Sequence, residues 1–340
     1  MTNTRKIIYV GVFAAVAVLL VLGVFFDKSI ANAMYQPENI MAIIMECAGI
    51  FPPFIFVSSA FIVLFLLIKQ EDKRRILKKT LCGVAVVVSY FLFGYFATEQ
   101  LFTSVVPRLL VGVGSAVLFS PITYLVFRNS SEERLKRLAI FLVFAALVSV
   151  ISSLISVNVI KYIWGRPRYR EMMAAGDYDL AAFTPWYQVN GFILHGHHSF
   201  PSGHTCSATN LLVLCALGEV FPEAEEKKGT IAFICVVYIF AMAYSRMVLG
   251  AHFLSDVTGG FLVGFVTYAV TRYIYFDKSS LVIKAIMDAN QTALMNAQEN
   301  GGEEPPAQED AAPAESVDEP ILYVQGQDDA PMDEEPKDEQ

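Results

Sequence analysis

Between Ser245 and Asp256 the chain reads SRMVLGAHFLSD, which sets an arginine, a histidine and an aspartate between two apolar runs. Each such group costs about 2.5–3.5 kcal/mol at the centre of a bilayer and less near its surface, so a function is the default expectation for them. If the segment is helical, His252 and Asp256 at i and i+4 share a face, and the carboxylate can hold one ring nitrogen while the other points outward. That is the relation of a reactive imidazole to the acid that orients it. Arg246 adds a planar donor fork suited to phosphate oxygens. The competing reading is a structural ion pair between Arg246 and Asp256. A second stretch, SFPSGHTCSATN at 199–210, puts Ser202 and Gly203 ahead of an apolar segment and His204 directly after them. Small residues there expose backbone N–H groups to an anion, or make only an N-cap turn. A third, KYIWGRPRYR, supplies Lys161, Arg166, Arg168 and Arg170.

These residues must be positioned by a very apolar chain. It has 340 residues, 55% of them hydrophobic, with mean hydropathy +0.48, which excludes an ordinary soluble domain. Apolar runs long enough to cross about 30 Å of hydrocarbon are expected near 7–26, 49–68, 81–98, 109–127, 138–158, 204–221, 230–245 and 256–275. Runs of this length and continuity exclude barrel strands, so the fold class is all-α, a polytopic transmembrane bundle of about eight helices. The segments 81–98 and 109–127 have so short a connection that they could instead pair as a hairpin that does not fully span, which leaves six spanning helices as the alternative to eight. ANA at Ala31–Ala33 looks like a signal-peptidase site, but the run before it is long for a signal peptide, so an uncleaved first helix is expected.

Loops 1–6, 69–79, 128–137 and 222–229 with the tail hold 2, 6, 4, 2 and 3 Lys and Arg, against 1, 1, 4 and 1 in 27–48, 99–108, 159–203 and 246–255. The positive-inside rule then puts both termini in the cytoplasm. It strands the 161–170 cluster outside, where retained basic charge suggests an anionic ligand. All five histidines, His195, His197, His198, His204 and His252, fall on that same face. HGHH at 195–198 has no acidic residue within ten positions and reads as solvated rather than metal-binding, and five cysteines without ligand spacing read as small core residues. The net charge of −8 belongs to the end of the chain: residues 277–340 carry 17 acidic and 3 basic side chains. That composition predicts a disordered cytoplasmic tail able to recruit a cytoplasmic partner, with ILYV at 321–324 as an isolated apolar patch. Three regions follow: N-terminal helices 1–137, a catalytic core 138–276 and the tail 277–340.

The order Lys161–x6–Arg168, then PSGH at Pro201–His204, then Ser245–Arg246–x5–His252–x3–Asp256 resembles the three-part signature of the type 2 phosphatidic acid phosphatase superfamily. The second and third parts match throughout, and the first departs in having Tyr169 where the pattern has Pro, which implies altered loop geometry or lipid preference. The resemblance covers roughly 138–275. It implies a metal-independent phosphatase acting on a lipid phosphate or diphosphate, of the phosphatidate, phosphatidylglycerophosphate or undecaprenyl diphosphate type. It further implies that His252 is the nucleophile and forms a phosphohistidine, that Asp256 orients it, and that His204 serves as acid and then base. Lys161, Arg168, Ser202, Gly203 and Arg246 would bind the phosphoryl oxygens. No cofactor, metal or nucleic acid is called for; the implied partners are the lipid substrate and surrounding membrane lipids of a cell membrane, with the site facing outside. The alternatives are a lipid phosphotransferase using the same phosphohistidine and a non-catalytic scaffold that binds anionic lipid. The outer loop 171–198, with Phe183, Trp186, Tyr187 and Phe192, is a candidate cover for the site.

Overall fold

The computed structural model describes residues 3–99, 101–193, 196–279 and scattered positions between 281 and 295. The acidic tail beyond 295, with ILYV, and His195 lie outside the described residues. Every regular element among the described residues is helical. They are α1 (Asn3–Met34), α2 (Ile40–Ala48), α3 (Phe51–Leu67), α4 (Arg75–Ala97), α5 (Val105–Phe127), α6 (Glu132–Ser149), α7 (Val157–Trp164), α8 (Tyr169–Ala174), α9 (Gly203–Thr209), α10 (Lys228–Val248) and α11 (Leu254–Arg272). A π-helical run, Val150–Ser156, joins α6 to α7, and a 3-10 run, Asn210–Glu219, continues α9.

Seven stretches among the described residues are long and apolar enough to cross a membrane: 5–34, 40–67, 75–97, 105–127, 132–164, 228–248 and 254–278. Large apolar side chains such as Phe25, Val88, Val117 and Phe240 face outward from them, as a lipid-facing surface requires. The eighth apolar segment, expected at 204–221, is the short rod made of α9 and its 3-10 extension. At about 1.5 and 2.0 Å rise per residue it still reaches roughly 30 Å, because the 3-10 winding is more drawn out. It is a central strut, with Cys206, Ala208, Asn210, Val213 and Ala216 buried.

Local chemistry explains the breaks. Ser131 caps α6, accepting from Arg134 N, and Glu132 and Glu133 sit in the first turn, where the helix dipole favours acids. Asn39 caps α2, and Pro52 and Pro53 occupy the opening of α3, where a missing N–H costs nothing. Gly165 ends α7 in the left-handed conformation, φ 57°. Residues 27–48, counted in the sequence as a loop between spans, are mostly helix: α1 is about 48 Å long at the usual rise, more than the roughly 30 Å of hydrocarbon requires, and 40–48 forms α2. The ANA triplet lies within α1, where Ala31 is buried and Asn32 Oδ1 accepts from the Tyr169 hydroxyl at 2.9 Å.

In the bundle α1 and α9 flank α11, α3 lies on α6, and α4 and α5 pair beside α3 as an antiparallel hairpin of two 23-residue helices. One core joins Phe56, Val63, Phe144, Val148, Val213 and Tyr268 across α3, α6, the 3-10 run and α11. At one end Glu219 clamps Arg5 at 3.0 Å and also binds Arg272. The signature residues lie at the other.

Candidate active site

His252 sits in the turn between α10 and α11 rather than on a helix, so the expected hydrogen bond to Asp256 is not made directly and the two meet only at ion-pair distance. Gly250, φ 60°, makes this turn tight; a Cβ there would meet the Tyr35 ring at 2.7 Å. The His252 Nδ1 lies 2.7 Å from the Ser199 carbonyl and 3.9 Å from Asp256 Oδ2. Donation to that carbonyl selects the tautomer whose Nε2 carries a lone pair. Asp256 acts one bond further away: its Oδ2 accepts from Ser199 Oγ at 2.6 Å and from Phe253 N at 2.7 Å, capping α11, so the same carboxylate anchors both sides of the imidazole.

The other Asp256 oxygen, Oδ1, accepts from Arg166 at 2.5 Å. Arg166 is fully buried, with Nη2 on Asp27 of α1 at 2.9 Å and Nε on the Thr184 carbonyl at 2.8 Å. Its guanidinium stacks over Phe253 at 4.5 Å and Phe183 at 5.2 Å. Ser255 bridges Asp27 and Arg166. Two carboxylates thus share one fork in a fully buried site, a geometry that holds only while all three are present.

Arg246, at the end of α10, does not pair with Asp256. Its Nη2 donates to Glu46 Oε1 of α2 at 2.7 Å, and Arg170 reaches the same oxygen at 3.3 Å. The Glu46 backbone carbonyl lies 3.0 Å from His204 Nε2. Of the four basic residues at 161–170, therefore, Arg166 and Arg170 are neutralised by carboxylates. Lys161 forms no ion pair among the described residues, and Arg168 meets only Glu171, at 3.7 Å.

Those unspent cations converge. Ser202 caps α9, with Oγ accepting from Thr205 N, and its own N–H donates to the Asp256 carbonyl. Gly203 follows at the start of α9, where a Cβ would lie 3.4 Å from Lys161 Nζ. Gly260 lets α11 approach closely: a Cβ there would be 2.2 Å from the Ser202 carbonyl oxygen. Burial first, then the positive charges of Lys161, Arg246 and Arg168, hold the His252 imidazole well below its ordinary pKa. Burial, then Arg246 and Lys161, does the same to His204. The uncharged imidazole is favoured at both positions. Arg246 Nε and Nη1 and Arg168 Nε are buried without a hydrogen-bond partner. Orphaned charged donors cost upwards of about 1–3 kcal/mol each, and an anion would relieve them.

The structure thus brings together all eight signature residues: Lys161, Arg168, Ser202, Gly203, His204, Arg246, His252 and Asp256. It leaves out the HGHH segment, in which His197 faces Glu171 at 3.6 Å and His198 faces the Ile193 carbonyl. No group of three or more His, Cys, Asp or Glu is placed to hold a metal ion among the described residues, and all five cysteines are free. Of the outer-loop aromatics, Phe183 and Trp186 are anchored, Trp186 donating to the Leu20 carbonyl of α1 at 2.9 Å, while Tyr187 and Phe192 are exposed.

The profile of the PAP2 superfamily matches residues 142–280, which include every one of these eight residues. This part of the chain belongs to the PAP2 superfamily. Membership implies phosphatase or phosphotransferase chemistry on phosphoesters. Comparison with curated proteins returns no match, and neither does comparison with solved structures. Glu46 and Asp27 lie outside the matched segment, so the PAP2 site of this chain is completed by α1 and α2. A sequence signal for both existed: each is an acid at or within an apolar run, where a charge needs a partner.

Proposed function

We propose that the protein is a membrane phosphatase that hydrolyses a lipid phosphate or diphosphate through a phosphohistidine, without a metal ion. The observation that carries this reading is the pair of imidazoles, His252 buried and His204 half-buried, whose charged form is disfavoured, beside cationic side chains whose donors have no partner. A phosphoryl group supplies the missing acceptors: Arg246 and Arg168 take equatorial oxygens, with Lys161, Ser202 Oγ and the Gly203 N–H. His252 Nε2 attacks phosphorus and the bond to the leaving oxygen breaks. A dianion in the pocket reverses the local field and raises the basicity of His204, whose Nδ1 is free because Nε2 faces the Glu46 carbonyl. Nδ1 takes a proton from the entering phosphate monoanion, which becomes the dianion, and passes it to the leaving oxygen as the P–O bond breaks. His204 then takes a proton from water, the hydroxide attacks phosphorus, the P–N bond breaks, and inorganic phosphate leaves.

Fixed positive charges do the work a divalent cation does elsewhere. The site lies at the end of the bundle opposite Arg5 and Arg272, and the distribution of Lys and Arg supports an extracytoplasmic position for it in a cell membrane. The head group would enter there while the acyl or prenyl chain stays in lipid. The test is phosphate release by purified protein in detergent with EDTA from phosphatidate, phosphatidylglycerophosphate, undecaprenyl diphosphate and a sugar phosphate. Release from a lipid substrate, lost in His252→Ala, supports the reading; equal activity of His252→Ala overturns it. Transfer to a second lipid without free phosphate would make the protein a phosphotransferase.

A further inference from the structure

Arg246 draws its counter-charge from α2, whereas Arg168 draws its own from the first turn of α8. Arg168 Nη1 lies 3.7 Å from Glu171 Oε1, and the other carboxylate oxygen accepts from the Arg168 N–H at 3.1 Å and stands 3.6 Å from His197 Nδ1. That bond to the N–H holds Glu171 as the acid of a capping box is held, so the negative charge stays within reach of the guanidinium. Glu171 is the more exposed partner, 33% against 22%, while Arg168 Nε is sealed from solvent with no acceptor. One edge of the fork is therefore turned to a carboxylate on the solvent side and another is unspent. Burial first, then Arg170, lowers the Arg168 pKa, and Glu171 opposes this more than Glu46 or Glu99 does. Four cations, Lys161, Arg168, Arg170 and Arg246, stand against two carboxylates, Glu46 and Glu171, around the pocket. That leaves an excess of two positive charges, which a phosphate dianion balances; with Glu171 neutral the excess is three.

We propose that Glu171 sets how tightly the site holds phosphate: its carboxylate competes with the anion for Arg168 and so lets inorganic phosphate leave once the phosphohistidine is hydrolysed. The proposal rests on the phosphatase reading above and deepens it. Cations that stabilise the transition state also grip the product, and binding that is uniformly strong adds nothing to turnover. Two other roles for the same contact predict different signs. A residue that aims the Arg168 fork would weaken phosphate binding when lost, and a residue that only caps α8 would leave it unmoved.

The test titrates inorganic phosphate into the purified full-length protein in detergent and reads Kd by calorimetry. Glu171→Gln keeps a capping acceptor of the same shape and removes the charge, so Kd should fall about fivefold, the upper end of what a partly exposed pair is worth. Glu171→Asp keeps the charge and should stay near wild type. A fall below about twofold in Glu171→Gln, a rise, or an equal fall in Glu171→Asp overturns the proposal. Where Glu171→Gln does not fold, Glu171→Ala carries the same expectation, and failure of both to fold makes the residue structural and overturns it too. Arg168→Ala should weaken binding, which locates the anion at this site. A wild type that binds no phosphate overturns the phosphatase reading and this proposal together; binding that weakens in Arg168→Ala and is unmoved in Glu171→Gln overturns this proposal alone.

Discussion

Arg166→Met removes the group on which two buried carboxylates depend. Asp27 and Asp256 are almost completely inaccessible, and Arg166 lies 2.9 and 2.5 Å from them while also binding Ser255 Oγ and the Thr184 carbonyl. Methionine matches much of the volume and keeps the contact with Phe253 and Phe183, so the loss is mainly ionic. Removing one partner of a buried pair typically costs about 3–5 kcal/mol, because the stranded charge must be neutralised or hydrated. Against a total stability of about 5–15 kcal/mol this is a large share, and it multiplies the unfolding constant by roughly 10² to 10⁴. At about 2–4 °C per kcal/mol, thermal unfolding in detergent should move down by roughly 6–20 °C. Asp27→Asn in the Arg166→Met background removes one stranded carboxylate. The double variant should therefore be more stable than the sum of the single effects predicts, by at least about 1 kcal/mol. Activity should fall as well, because Asp256 then holds Ser199, and through it His252, less firmly. Melting of Arg166→Met within about 2 °C of wild type, or strict additivity with Asp27→Asn, would refute this account of the network.

Further outcomes follow from the same geometry. His204→Ala should lower phosphate release by about 10²–10⁴-fold with an alcohol leaving group, and should spare the first-turnover burst of phenol from an aryl phosphate, whose leaving oxygen needs no proton; an equal loss of that burst would remove the acid role. Both site histidines are held below their ordinary value of 6.5 in the folded protein, so unfolding binds more protons under acid conditions. Their contribution to stability is full above about pH 6.5 and declines as pH falls toward the folded values. The acid limb of log kcat/KM, corrected for the second ionisation of the substrate near pH 6, should lie below 6.5. A limb above 7 that disappears in His204→Ala would contradict it. Gly260→Ala places a methyl against the Ser202 carbonyl and should cost about 1–3 kcal/mol together with activity; a variant that melts and turns over like wild type would mean α9 and α11 are not so close.

Much of the site was legible from residue type alone. Three separated basic residues, two histidines and a small-residue turn before a helix have few other uses in so apolar a chain. The spacing His252–x3–Asp256 pointed to the right pair but the wrong link, because i,i+4 geometry presumes a helix that begins only at Leu254. The intended hydrogen bond is replaced by Ser199, whose backbone carbonyl meets the imidazole and whose hydroxyl meets the carboxylate. KYIWGRPRYR reads in sequence as one cationic cluster, yet two of its four charges are cancelled by acids from α1 and α2. Periodicity and run length identified the helices, and they misjudged 27–48 and 204–221, where a helix runs longer than the hydrocarbon requires and a 3-10 run replaces an α-helix.

From its amino acids alone the chain specified a helical membrane bundle and the residues of the proposed anion site, since hydrocarbon length and the cost of charge in lipid act on local composition. Only the tertiary structure decided which cations remain unpaired. Arg246 meets Glu46 across 200 residues of chain and Arg166 meets Asp27 across 139, and the packing of α1 and α2 against the signature segments brings these partners together. Charge in a buried site depends on what lies within a few ångströms, and separation along the chain carries no record of that distance.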